Sequence, residues 1–401
     1  MVLHNRSRRA FRFSSPRIPA SSNGTVYVEW FNVSAGRDAP PDWTYAHVEM
    51  KRQSAIYVGV SAQAVGVAHA KSTFPDRYGP LSHPGDSYSY DIFSQAGQAL
   101  RDQAPTILGP EFAPERVIAT GESQSAGRMT TYVNAFGDNG VYDGYMIHSR
   151  GANGAPLRQA PLDPVSPPSP TLITDLDRPV ITFQSETDSR APRQDDSPTF
   201  RWWEVPGTSH IDAYALASIA IDDYGTSPEA AQRLFDTMVH PFSGPFGSVG
   251  DCALGVNAGP HVWMFQAALR HLNDWVAGGT PPPLGDRMAT VDGTATGELV
   301  LDAHGNATGG IRSPHLDVPI ATLRGTGNSP AGGQGPNFCA VFGTTTPFSA
   351  EKLVQLYRNH GAFVSRWVHA VDVAVADGFM TPEDGEFVKV SAATSGIGRK
   401  K

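Results

Sequence analysis

The stretch ATGESQSAGRM (119–129) sets Ser123 in the pattern Gly-x-Ser-x-Ser. That is one residue away from the Gly-x-Ser-x-Gly in which a serine hydroxyl is presented as a nucleophile. Five residues also match by chance in any small-residue turn, so the rest of the chain has to decide. Serine-based acyl transfer needs three further parts: a base to take the hydroxyl proton, a carboxylate to orient that base, and hydrogen-bond donors for the developing oxyanion.

Each part has a candidate. His210 ends the run WWEVPGTSH (202–210), after an apolar stretch and a Gly-Thr-Ser turn. Its place after the last such stretch, downstream of Ser123, sets it above His83, His148 and His261 among the thirteen histidines. The orienting acid belongs to the end of the stretch between them, VITFQSETD (180–188), which offers Glu186 and Asp188. A small residue three positions before the acid, here Ser185, favours Asp188, with Glu186 as the alternative. One oxyanion donor is the backbone N–H of Gln124; the other is the backbone of Asn32 or Val33, in the loop after TVYVEWF. Gln63 ends the next apolar run and points at the same rim as a substrate contact, with helix capping as its alternative role.

These residues need elements to hold them. GTVYVEWFNVSAG (24–36) alternates and breaks at Gly36, the signature of a strand entering a loop. YAHVEMKRQ (45–53) has helical character, AIYVGVSAQ (55–63) is a second strand, and DIFSQAGQALRDQ (91–103) predicts a helix capped by Asp91. RVIAT runs into Ser123 and a helix follows. YDGYMIHSR (142–150), RPVITFQSETD (178–188) and FRWWEVPGTSH (200–210) are further apolar runs with polar ends. Apolar strands alternating with helices predict an α/β fold with a mostly parallel central sheet covered on both faces. Open parallel sheets gather their sites at the carboxyl ends of the strands, where every candidate above falls. A Pro-rich insertion at 151–177 is placed to overhang that edge, GPHVWMFQAALRHLNDWVAGGTPPP (259–283) predicts an amphipathic helix ending at Gly278–Gly279, and 284–401 reads as a loop-rich C-terminal extension that returns to helix near its end. With no internal repeat and no sharp linker, 21–401 reads as one domain behind a basic tail, 1–20.

GTVYVEWFNVSAG, YVGVSAQAVGV, SHPGDSYSYDIFSQAG, ATGESQSAGRM, FQSETD, WWEVPGTSH and GGIRSPHLDVP together resemble a family of bacterial α/β-hydrolase-domain proteins, over residues 20–390. The resemblance implies the α/β-hydrolase fold and a Ser–acid–His triad in the chain order Ser123, Asp188, His210. It tolerates Ser125 where the elbow's second glycine usually stands. Members of that family carry more chain ahead of GTVYVEW, so the N-terminal part is expected to be short here.

Composition bounds the rest. Hydrophobic residues are 40% and charged ones 17%, with 41 glycines and 33 prolines, the mix of a globular, loop-rich enzyme. A formal charge of −8 argues against nucleic acid or an anionic membrane as a partner. No apolar run reaches the roughly 18 residues that a membrane helix needs. The opening MVLHNRSRRAFRFSSPRIPASSNG has arginines with no apolar stretch behind them, so it reads as a flexible basic tail rather than a secretory or twin-arginine signal. Cytoplasmic location is then the default, and secretion follows only if a leader lies upstream. Cys252 and Cys339 stand in no metal-ligand spacing and are either two free thiols or one disulfide. No metal or organic cofactor is implied.

The expected activity is hydrolysis of a small-molecule carboxylic ester through an acyl-enzyme. The alternatives are an acyltransferase on the same triad and a non-catalytic binding protein on a hydrolase scaffold. Segments 61–90, 151–177 and the extension supply the expected pocket walls, and Phe74, Tyr78, Tyr88 and Trp263 make that pocket moderately apolar.

Overall fold

Apolar runs of five to seven residues build the central sheet. A computed structural model describes residues 11–12, 22–110, 112–166, 172, 176–189, 191–218, 227–246, 250–333 and 338–399. The strands are β1 (Phe11–Arg12), β2 (Thr25–Trp30), β3 (Ile56–Val60), β4 (Arg116–Glu122), β5 (Gly144–His148), β6 (Val180–Ser185) and β7 (Phe200–Val205), in the order β1-β3-β2-β4-β5-β6-β7. Six of them form the parallel central sheet, flanked by helices. Every residue of β2, β5 and β6 is buried, as a sheet covered on both faces requires. The edge strand β1 is antiparallel, Phe11 opposite Val60 and Arg12 opposite Gly59. Two residues of the expected N-terminal tail are thus a strand; the rest of that tail lies outside the described residues.

The chain divides into two units, Met1–Thr182 with Ala191–Trp202 and Leu269–Pro282, and Phe183–Arg190 with Trp203–Ala268 and Pro283–Lys401. The first holds α1 (Pro41–Arg52), α2 (Ala64–Thr73), α3 (Pro75–Tyr78), α4 (Ser89–Ile107) and α5 (Gln124–Phe136). A strand residue caps α1: the Glu29 carboxylate accepts from the N–H groups of Asp42 (2.9 Å) and Trp43 (3.0 Å), two donors that the first turn cannot satisfy itself. Helix α4 begins at Ser89, before Asp91, because a 3-10 turn at Asp86–Tyr88 delivers a chain that is already coiled. Asp91 is therefore not the cap; its carboxylate takes the Gln95 amide at 2.6 Å. Trp30, Phe93, Tyr132 and Tyr142 meet in the core, Phe93 stacked on Tyr142 with centroids 5.0 Å apart. Part of the Pro-rich insertion (167–171 and 173–175) lies outside the described residues.

The second unit holds α6 (Ala213–Ser218), α7 (Pro228–Val239), α9 (Pro314–Asp317), α10 (Ala350–Tyr357), α11 (His360–Ala376) and α12 (Pro382–Thr394), with the antiparallel pair β8 (Ala321–Arg324) and β9 (Thr344–Pro347). Trp367 packs against Phe235, Phe363 and His315. Between α7 and α9 in sequence, α8 (His261–Val276) is buried over its first nine residues and carries its wet side only in the second half, where Arg270 and His271 are half-buried and Asp274 is exposed. The polar residues Gln266 and Asn273 are buried with the apolar ones.

Cys252 and Cys339 form a disulfide within the second unit, Cα atoms 5.6 Å apart and 87 positions apart in sequence. Of the two readings of these cysteines, the bridge is the one present. A closed loop of that length stabilises by about 4–5 kcal/mol in the chain-entropy model. Replacing both cysteines by serine is expected to lower the melting temperature and to make it insensitive to reductant; equal melting of the two proteins under oxidising conditions would refute the contribution.

His315 is buried, and desolvation alone holds its imidazole down at about 3. Its ordinary value is about 6.5, so between these two pH values the unfolded chain binds more protons and stability rises with pH. The contribution is complete above the unfolded value and is lost progressively as pH falls toward the folded one. Melting curves at about pH 5 and about pH 7 should differ less for His315→Phe than for the parent protein. An equal difference would assign the acid sensitivity elsewhere.

Candidate active site

The backbone turns from β4 into α5 at a single residue. Ser123 has φ 60° and ψ −116°, a conformation that a side-chain-bearing residue adopts only under strain. The turn is tight on its inner side: a Cβ on Gly121 would lie 2.7 Å from Met129 Cγ and 3.1 Å from the Ser125 carbonyl oxygen. The Ser123 N–H donates to the His148 carbonyl at the end of β5 (2.9 Å), which pins the corner to the neighbouring strand. Gln124 is the first residue of α5, so its N–H has no acceptor within the helix and is available at the corner.

In the second unit, Asp188 and His210 meet. His210 Nδ1 is 2.9 Å from Oδ1 and 3.0 Å from Oδ2 of Asp188, both side chains about one-tenth exposed. Ser185, the small residue three positions before the acid, donates its hydroxyl to Asp188 Oδ2 (2.6 Å), and its carbonyl accepts the Asp188 N–H (3.1 Å). Thr187, which sequence reasoning missed, accepts from the His210 N–H at 3.0 Å and donates its hydroxyl to the Gly325 carbonyl. Nothing local in SETD marks Thr187, since its partners stand 23 and 138 positions away.

Glu186 faces elsewhere. Its carboxylate is buried and accepts from Arg324 Nε (2.9 Å), the Gly325 N–H (3.0 Å) and the Gly207 N–H (2.9 Å). That ties the turn before His210 to the segment after β8, a structural task.

A family model described as an alpha/beta hydrolase domain matches residues 12–389. The chain belongs to that family. Among solved structures, this hydrolase is similar to an α/β serine hydrolase without lid from Xanthomonas campestris, at 13% identity, covering 50% of this chain and 79% of that one with a TM-score of 0.30. It is also similar to an acetyl ester-xyloside bifunctional hydrolase from Caldicellulosiruptor lactoaceticus, at 11% identity, covering 53% and 81% with a TM-score of 0.30. A comparison with curated protein sequences finds no match.

The hydrolase holds a second His–Asp pair. His148 Nδ1 lies 2.7 Å from Asp42 Oδ1, and both side chains are fully buried. Burial pushes the Asp42 carboxyl up to about 7, and it raises neighbouring Glu29 as well, with the Asp42 charge adding to the effect on Glu29. This pair braces β5 against α1 inside the core, whereas the Asp188–His210 pair reaches the surface.

Two expected contacts are corrected. The Asn32 N–H donates to the Ala39 carbonyl at 3.0 Å, so it is committed and cannot serve an oxyanion; of the two candidates in that loop, Val33 remains. Gln63 is buried with its amide oxygen accepting from Trp30 Nε1 (3.2 Å), which makes it a core partner of the sheet rather than a rim contact. It stands at the N-cap position of α2, but its side chain makes no capping bond. Of the aromatics expected to line a pocket, Trp263 and Tyr78 are core side chains, while Phe74 and Tyr88 are exposed. Among the described residues no group of three or more His, Cys, Asp or Glu is placed to hold a metal, and no helix is long and apolar enough to cross a membrane.

Proposed function

We propose that this hydrolase cleaves carboxylic esters, with Ser123 as nucleophile, His210 as general base and acid, and Asp188 as the group that orients His210. The observation that carries the reading is the backbone of Ser123. A serine held at φ 60° between strand and helix is strained, and strain of this kind persists where function demands it.

In the proposed reaction the Ser123 hydroxyl attacks the ester carbonyl as His210 Nε2 takes its proton. Asp188, accepting from Nδ1, fixes the tautomer that leaves Nε2 as the acceptor and stabilises the imidazolium that forms. The N–H groups of Gln124 and Val33 receive the oxyanion. Collapse of the tetrahedral intermediate expels the alcohol, which takes its proton from His210. Water then attacks the acyl-Ser123 with His210 again as base, releasing the acid. No step needs a metal or organic cofactor.

A short-chain p-nitrophenyl ester tests this reading. A pre-steady-state burst stoichiometric with enzyme, with a fluorophosphonate label mapped to Ser123, is the expected result. Analysis of products with an added alcohol separates hydrolysis from acyl transfer. Absence of both burst and label would remove the serine mechanism.

A further inference from the structure

The residue at the elbow's second-glycine position makes a bond that a glycine could not make. Ser125 is fully buried in the first turn of α5, and its hydroxyl donates to the Phe31 carbonyl at 3.1 Å. Phe31 opens the loop that carries Val33. The same loop is tied to the elbow a second time, by the Asn32 side chain. Its Nδ2 donates to the Glu122 backbone carbonyl (3.2 Å) and to Glu122 Oε2 (3.0 Å), while its Oδ1 accepts the Ser34 N–H (2.8 Å). Glu122 precedes Ser123 by one residue and Ser125 follows it by two, so the loop is clamped on both sides of the nucleophile.

Peptide planarity turns these bonds into an orientation. Asn32 exchanges two backbone bonds with Ala39, N–H to carbonyl at 3.0 Å and carbonyl from N–H at 2.8 Å. Its own N–H and C=O therefore point together toward Ala39. The trans peptides on either side then direct the Phe31 C=O and the Val33 N–H the opposite way, along one common side. Ser125 Oγ meets that Phe31 carbonyl, so the Val33 N–H is aimed toward the elbow. The far end of the loop start is fixed too: the Phe31 N–H donates to the Val60 carbonyl (3.1 Å). Its ring fills the space where a Cβ on Gly59 would stand, 1.9 Å from the nearest ring atom.

We propose that Ser125 is a positioning residue for the oxyanion hole, holding the Phe31–Val33 backbone so that the N–H groups of Val33 and Gln124 are presented together. The inference rests on the serine-hydrolase reading above. It also accounts for the departure from Gly-x-Ser-x-Gly: the hydroxyl at the last position locks the loop that a glycine would leave untied.

The test compares an oxo ester with its thiono analogue, whose sulfur accepts hydrogen bonds poorly and so gains less from the hole. Ser125→Gly is expected to lower kcat for the oxo ester by about ten- to a hundred-fold with KM little changed. The thiono rate should fall much less, narrowing the oxo-over-thiono preference by nearly the same factor. Ser125→Thr, which keeps the hydroxyl, should retain the parent preference, and Ser125→Ala serves if the glycine variant does not fold. A parent-like oxo rate in Ser125→Gly, or parallel loss on both substrates, overturns the role of Ser125 while Ser123 still takes a fluorophosphonate. No label and no esterase activity in the parent protein would instead remove the serine mechanism and this inference with it.

Discussion

Ser123→Ala should abolish ester turnover, a loss on the order of 10⁶ in kcat by the serine-protease template, while the protein melts almost where the parent does. The side chain caps nothing: Ser123 stands at the N-cap position of α5 without a side-chain capping bond, so no cap energy is lost with the hydroxyl. Alanine inherits the strained backbone, whereas glycine relieves it. Ser123→Gly is therefore expected to be as inactive as the alanine variant yet more stable, by about 1–2 kcal/mol. Calorimetry and steady-state kinetics on the two variants separate strain from chemistry. A glycine variant no more stable than the alanine variant would remove the argument from strain, and retained turnover in either would remove Ser123 as nucleophile. A fluorophosphonate should label Ser123 and spare Ser125, which is wholly buried. His210→Ala should match Ser123→Ala in depth, because triad members act as a unit and their losses do not add.

What was legible in the sequence, and what was not, divides by range. The strands of the parallel sheet are legible because burial on both faces makes them unbroken apolar runs. The corner at Ser123 is legible from its small residues, and the Asp188–His210 pair from strand ends and from Ser185 three positions before the acid. Bonds made across long stretches of chain leave no local trace. Asn32 reads as an oxyanion donor until its N–H is seen paired with Ala39, and Glu122, its side-chain partner, is 90 positions away. Gln63 reads as a rim residue until Trp30, 33 positions earlier, claims its oxygen. Nothing in the sequence marks Glu29, whose buried carboxylate caps α1 at Asp42 and Trp43, 13 and 14 positions on. Helix α8 follows its periodicity only in part: the wet side is Arg270, His271 and Asp274, all in its second half, and the first nine residues are buried throughout. The two-residue strand β1 is too short to carry any pattern.

The two acids of SETD should fail in different ways. Asp188→Asn keeps the shape but loses the charge that steadies the imidazolium. Ser185 donates to Oδ2 and so draws the amide oxygen to its own side, turning the amide N–H toward His210 Nδ1. An amide N–H at the Oδ1 position, 2.9 Å from Nδ1, favours the tautomer in which Nδ1 is unprotonated, the wrong one for a base acting through Nε2. Turnover should drop by roughly 10⁴, the magnitude of the same change in the serine-protease template, with little change in melting temperature. Glu186→Gln should do the reverse. Three donors converge on that buried carboxylate, from Arg324, Gly325 and Gly207, and an amide N–H in their midst would face another donor. A buried donor left without an acceptor costs about 1–3 kcal/mol, so this variant should melt earlier while keeping most of its turnover per folded molecule. The measurement is paired: kcat per active site, counted by fluorophosphonate titration, against melting temperature. If Glu186→Gln instead loses turnover at an unchanged melting temperature while Asp188→Asn stays active, the orienting acid is Glu186, and the Asp188–His210 hydrogen bonds hold structure only.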